Sequence, residues 1–279
     1  MSGRLLVVGT PIGNLGDLSP RAAEALRGAD LVVAEDTRVA ARLLRFLGAR
    51  RPTISFTEHN AAERLSGLLA RLATGENLVL TTDAGMPAIS DPGAALVAAA
   101  RAAGHPVEVV PGPSAVTAAL AVAGLSSGGF VFGGFLPARP VSARRAGLER
   151  LLAGAGSLGL PLVLYEAPHR VQTLLEDLDH LSNIHPAIHV AVARELTKVH
   201  EEVMVGGPAD VAARLPQPRG EFTVVISGIA PPPDTPGLDL PALVAVAREA
   251  GMSTRSTADL LRAVGVPRRE AYRAASGDS

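Results

Sequence analysis

The sequence predicts an α/β protein with an open parallel sheet, a mixed sheet after it, and a small helical tail. Three observations carry this. Short apolar runs alternate with segments of helical period through the first part of the chain, as in βαβ units whose strands are buried on both faces. Further on, strand-like runs follow one another with short links and few helices, which suggests a mixed, partly antiparallel sheet. Finally, Pro231-Pro232-Pro233-Asp234-Thr235-Pro236 reads as a stiff linker ahead of the tail. The expected divisions are 1–113, 114–230 and 231–279.

The elements follow in order. Residues 4–9 read as a strand, and Ser19-Pro20 opens a helix with a cap and a proline in the first turn. Strands at 31–35 and 53–56 flank a helix at 39–47. The helix at 60–73 places Leu65, Leu68, Leu69 and Leu72 on one face. A strand at 78–82, a helix at 93–103 and a strand at 107–110 complete about five strands. In the second half, strands are expected at 130–135, 161–166, 188–195, 201–205 and 222–227, with two clear helices between them at 143–152 and 171–181. Tail helices are expected at 240–249, 254–264 and 268–275.

Composition excludes several classes. With 47% apolar and 19% charged residues, the bulk of the chain is not disordered. No cysteine is present, which removes disulfides, thiolate metal sites and a cysteine nucleophile. The net charge of −1 advertises no global field for nucleic acid, so any such contact is local. The apolar run at 115–125 is far short of the ~20 residues that span a bilayer and reads as a buried helix. No targeting segment is visible, and a soluble, cytoplasmic protein without membrane contact is expected. Histidines show no ligand spacing, so no metal is expected. Of the 26 formal cations only Lys198 is lysine.

In open α/β sheets ligands gather outside the carboxyl ends of the strands, so the loops there hold the candidate chemistry. The first is Gly9-Thr10-Pro11-Ile12-Gly13-Asn14, whose glycines permit close backbone approach but match neither a dinucleotide fingerprint nor a P-loop. Glu35-Asp36-Thr37-Arg38 sets a carboxylate and a guanidinium at the next strand end, where Asp36 or Thr37 also serves as a helix cap. His59 and Asn60 follow the third strand, Asn60 again as a possible cap. The loop 81–93 is richest, with two Asp, two Pro and two Gly in 11 residues fixing a rigid path. Pro111-Gly112-Pro113-Ser114 opens a helix with a serine cap.

These blocks, together with Gly134-Phe135-Leu136-Pro137, Tyr165-Glu166-Ala167-Pro168-His169-Arg170 and Ala193-Arg194-Glu195-Leu196-Thr197-Lys198, appear in one order along the chain. In that order they resemble the ribosomal RNA small subunit methyltransferase I family, the 16S rRNA cytidine-1402 2′-O-methyltransferases of the tetrapyrrole methylase superfamily. The resemblance runs from about Leu5 to Gly228 and extends to the helical tail, although arginine stands here where such tails carry lysine. It implies a tetrapyrrole-methylase-like fold of two α/β domains clasping S-adenosylmethionine. It also implies 16S rRNA within the small ribosomal subunit as partner, and a homodimer. Pro11, Asp83, Gly85, Pro87, Ser90, Pro111, Gly112 and Ser114 would line the cofactor site from the first domain. Tyr165, Glu166, Pro168, Ala193 and Glu221 would close it from the second.

Methyl transfer to a ribose hydroxyl calls for a base, and Glu35, Asp36, His59, Glu166, His169, Glu195 and Lys198 are all open candidates. Lys198 is attractive because desolvation lowers a lysine pKa. The catalytic set is taken as Glu35, Asp36, Arg38, Glu195 and Lys198, the two blocks facing the acceptor from opposite domains. RNA contacts are expected from His59, Asn60, Arg139, Arg144, Arg145 and Arg170, and from Arg268 and Arg269 in the tail. The alternatives are a superfamily member acting on a tetrapyrrole or protein acceptor, or a non-catalytic RNA-binding assembly factor.

Overall fold

The computed structural model describes residues 2–89, 91–125, 128–215, 219–231, 240–264, 266 and 268–276. The chain divides into two compact units, Met1–Ala230 and Pro231–Ser279. Within the first, β1 (Leu5–Val8), β2 (Leu31–Ala34), β3 (Thr53–Ser55), β4 (Leu78–Thr81) and β5 (Val107–Val110) alternate with α1 (Pro20–Gly28), α2 (Thr37–Phe46), α3 (Ala61–Ala73) and α4 (Gly93–Ala102). All five strands pair in parallel, in the order β3-β2-β4-β1-β5.

Side-chain alternation explains the layers. Leu6, Val8, Val32 and Val79 face α1 and α2, and Leu5, Val7, Val33 and Leu80 face α3 and α4. Strands buried on both sides need continuous apolar runs, and β1, β2 and β4 have them. The expectation of two apolar faces fails at β5. It is an edge strand, with Glu108 exposed and Val109 56% exposed. Helix α1 starts where the sequence says: Ser19 Oγ accepts from the Ala22 amide and Pro20 occupies the first position.

The second sheet comprises β6 (Val131–Phe135), β7 (Leu162–Glu166), β8 (His189–Arg194), β9 (Glu202–Gly206) and β10 (Phe222–Ser227), in the order β6-β7-β10-β8-β9. Only β6 and β7 run parallel; the other neighbours are antiparallel. One face packs on α5 (Ala115–Ala123), through Val163, Ala191, Ala193 and Val225. The other packs on α6 (Val141–Leu158), α7 (Pro168–His180) and α8 (Pro208–Arg214). Helix α8 is absent from the sequence reading, which found two helices here; its seven residues are too few to show a period. A short 3₁₀ turn at Leu15–Asp17 was also unforeseen.

The second unit contains α9 (Leu240–Glu249), α10 (Thr254–Ala263) and α11 (Arg268–Ser276), packed around Val244, Leu261, Val266 and Ala271. Beyond Pro231 the proline stretch expected as a linker lies outside the described residues. No described helix is long and apolar enough to cross a membrane.

Candidate active site

The sheet's winding decides where a site can form. The chain leaves β1 and β2 toward helices on one face and leaves β3 and β4 toward the other. β4 lies between β2 and β1, so a crevice opens beyond its carboxyl end, at a topological switch point. The loop after β4 fills this position and is welded to the loop after β1. Thr10 and Gly85 exchange both backbone hydrogen bonds, at 2.9 and 3.1 Å. Thr10 Oγ1 adds one to the Thr82 carbonyl at 3.2 Å. Gly9 and Gly112 touch backbone to backbone, and a Cβ on Gly9 would sit 2.6 Å from Gly112 Cα.

Above this floor lies a cavity of about 450 Å³, walled by both sheets, a size that suits a cofactor. Its first-sheet wall is acidic. Thr82 donates to Glu35 Oε2 at 3.0 Å, Asp83 accepts the Asp36 amide at 3.0 Å, and Asp91 accepts the amides of Ala88 and Gly93. Partial burial raises the Glu35 pKa; the Thr82 hydrogen bond opposes the shift, and Asp83 and Asp91 add to it. Burial likewise raises Asp83. The second oxygen of Asp91 is buried without a partner among the described residues. An acidic wall with an orphaned carboxylate oxygen suits a cationic ligand such as a sulfonium or ammonium.

The second-sheet wall includes Phe135, Tyr165, Pro168, Ala193, Leu196 and Glu221. It is held from behind by a buried ion cluster. Glu166 meets Arg170 at 2.8 Å and Arg144 at 3.0 Å, and Arg144 lies 3.9 Å from Asp177. Glu166 Oε1 also accepts the Ala167 amide. At the rim, Lys198 Nζ bonds Glu195 at 2.8 Å and Glu221 at 3.0 Å. Its chain stem lies over Gly13, where a Cβ would come within 2.5 Å.

The model of the family "Tetrapyrrole (Corrin/Porphyrin) Methylases" matches residues 4–212. The chain belongs to this family. As a tetrapyrrole methylase it is a methyltransferase. It is 46% identical over 233 residues to "Ribosomal RNA small subunit methyltransferase I" of Xylella fastidiosa, covering 82% of each chain. The protein of that name from Synechocystis is 40% identical, with 97% of this chain and 96% of that one covered. Among solved structures, uroporphyrin-III-C-methyltransferase from Thermus thermophilus superimposes with a TM-score of 0.56 at 22% identity. That match covers 81% of this chain and 95% of the other, and shows the shared fold.

In this methylase the expected residues fall into separate groups. Glu35, Asp83, Gly85, Ser114, Tyr165, Glu166, Pro168, Ala193 and Glu221 line the cavity. Pro11 and Pro87 do not. Pro111 and Gly112 line a neighbouring shallow depression that shares Ser114, and Ser90 lies outside the described residues. Neither Asn60 nor Ser114 makes a side-chain cap. Asn60 instead accepts the Thr57 amide and fastens the loop after β3. His59 and Arg139 are exposed, as are Arg268 and Arg269 on α11.

Three expectations need correction. Arg144 is 4% exposed and spent on Glu166, so it offers no guanidinium to RNA. Arg170 is tied to the same carboxylate and to the Leu136 carbonyl. Glu166 lines the cavity as expected, and its carboxylate is held by that cluster. Lys198 is not pushed down: burial lowers its pKa, but the hydrogen bonds it donates to Glu195 and Glu221 outweigh it and leave it raised. Its ammonium is therefore a poor proton acceptor. Glu195 is pulled lower by Lys198 against its own desolvation. Arg145 lies between the groups, half exposed and paired with Asp177. The sequence places Thr82 and Asp91 in the rich loop 81–93 without an individual role; the Asp91-Pro92-Gly93 turn ahead of a helix was the available signal.

Proposed function

We propose that this methyltransferase carries out S-adenosylmethionine-dependent methylation of small-subunit ribosomal RNA, at the 2′-hydroxyl of cytidine-1402. The observation that carries the reading is 40% identity over 97% of the chain to a relative named for ribosomal RNA methylation. We further propose that the halves 1–113 and 114–230 act as the two walls of the cofactor cleft and that the chain works as a homodimer in the cytoplasm.

S-adenosylmethionine, when bound, supplies a methyl group activated by a sulfonium. Asp83, Asp91 and the Gly85 backbone hold the cationic end; Tyr165, Pro168 and Ala193 supply apolar surface that excludes water. Glu35 is the general base. Its raised pKa brings it nearer neutrality, where a carboxylate accepts a proton more effectively, and Thr82 fixes its orientation. Arg38, held by Asp36 and 88% exposed, is available to a phosphate.

The test is a map of 2′-O-methylation on small-subunit RNA from a strain lacking the gene. Wild-type protein restores the mark at cytidine-1402, and Glu35→Gln does not. A restored mark on another acceptor, or RNA binding without S-adenosylmethionine binding by calorimetry, overturns the reading.

A further inference from the structure

Helix α2 carries a feature that the cavity does not use. From Thr37 to Pro52 the chain has five arginines, Arg38, Arg42, Arg45, Arg50 and Arg51, and no acid. At 100° per residue, Arg38, Arg42 and Arg45 fall within about 60° of one another. They lie opposite the buried Ala40, Leu43 and Leu44. Among the described residues, Arg42, Arg45, Arg50 and Arg51 make no ion pair and no side-chain hydrogen bond. Like charges four apart destabilise a helix, so the stripe is not explained by helix stability. Arg27 joins it from α1, donating to the Leu47 carbonyl at 3.3 Å.

Two further facts give the stripe a direction and an occupant. It begins at the cavity mouth, because the Asp36 amide ahead of Arg38 is bonded to Asp83 on the cavity wall. It ends about 10 Å along the helix beside Phe46, which is 55% exposed. Unpaired arginines with an exposed aromatic ring match the chemistry of a single strand, phosphates along the charges and an unstacked base on the ring. We infer that the α2 stripe is a track for the single-stranded RNA flanking the acceptor nucleotide, leading it to the cavity. This rests on the RNA reading above and adds the surface that reads the backbone.

The experiment is fluorescence anisotropy of the full chain with a labelled single-stranded RNA of small-subunit sequence, over a salt series. Each phosphate contact to a single strand contributes about 0.7 to the slope of log affinity against log salt, so Arg42→Gln with Arg45→Gln should lower it by about 1.4. Phe46→Ala should weaken binding without changing the slope. Arg101→Gln, exposed on α4 across the sheet, should change neither. Unchanged S-adenosylmethionine affinity by calorimetry certifies folding of each variant. If wild type binds RNA and the double variant keeps its slope, or Arg101→Gln lowers it equally, the track is refuted and the RNA reading stands. If wild type binds no RNA, both fall. Loss of affinity for the intact subunit but not for naked RNA would mean a protein-docking face, and would also overturn the inference.

Discussion

Glu166→Gln probes the ion cluster behind the cavity. The carboxylate is fully buried and faces two guanidinia, Arg170 at 2.8 Å and Arg144 at 3.0 Å. An amide keeps the shape and an acceptor for the Ala167 N–H, but removes one of the two negative charges that balance Arg144 and Arg170. Arg144 then keeps one carboxylate, Asp177 at 3.9 Å, and the Arg170 carbonyl at 3.4 Å. Stripping one partner from a buried pair costs about 3–5 kcal/mol. The contacts are close but not aligned as hydrogen bonds, which places the expected loss at the lower end, about 3 kcal/mol. Arg145→Gln is the comparison: that side chain is 58% exposed, and its loss should stay below about 1 kcal/mol. Urea unfolding followed by far-UV circular dichroism reads both, since the chain has no tryptophan. A loss below about 1 kcal/mol for Glu166→Gln would refute the claim that the cluster props up the Tyr165–Pro168 wall.

Other expectations follow from the same geometry. Gly9→Ala forces a Cβ to 2.6 Å from the Gly112 backbone and should cost about 1–3 kcal/mol, with loss of cofactor affinity by calorimetry; an unchanged melting temperature counts against the close packing. Glu35→Gln should abolish turnover while sparing cofactor binding, and wild-type turnover should rise with pH through the raised Glu35 pKa; a flat profile removes Glu35 as base. Lys198 has a folded pKa above its usual 10.5. Its stabilising contribution is thus complete below the unfolded value and lost as pH climbs through the folded one. The gap in melting temperature between wild type and Lys198→Met should be constant near neutrality and shrink above about pH 10.5; a gap that widens there contradicts the pairing.

The first sheet was legible because buried parallel strands read as apolar runs, and those runs also place the loops at their ends. β5 misled because an edge strand can carry valine on an exposed face, as at Val109. Helix α6 runs to Leu158, past the expected stop, although Gly154 and Gly156 weaken it; a Cβ at Gly156 would strike the Ala230 carbonyl at 2.3 Å. The arginines after β6 looked alike in sequence. Their different fates depend on Glu166 and Asp177, which only the packing of α6 against β7 and α7 brings to Arg144. Lys198 was misread for the same reason, since Glu221 reaches it from the residue just ahead of β10.

The aromatic wall of the cavity has an optical consequence. Only two tyrosines occur in the chain, and tryptophan is absent. Tyr165 stands at the cavity between Phe132, edge-on at 5.1 Å, and Phe135 at 5.3 Å, whereas Tyr272 belongs to the C-terminal unit. A Tyr272→Phe chain would therefore hold a single tyrosine, seated on the cavity wall. Burial pushes the Tyr165 phenol up, so its emission stays that of the neutral form well into alkaline solution. The protein carries its own unlabelled dye for watching the cavity fill.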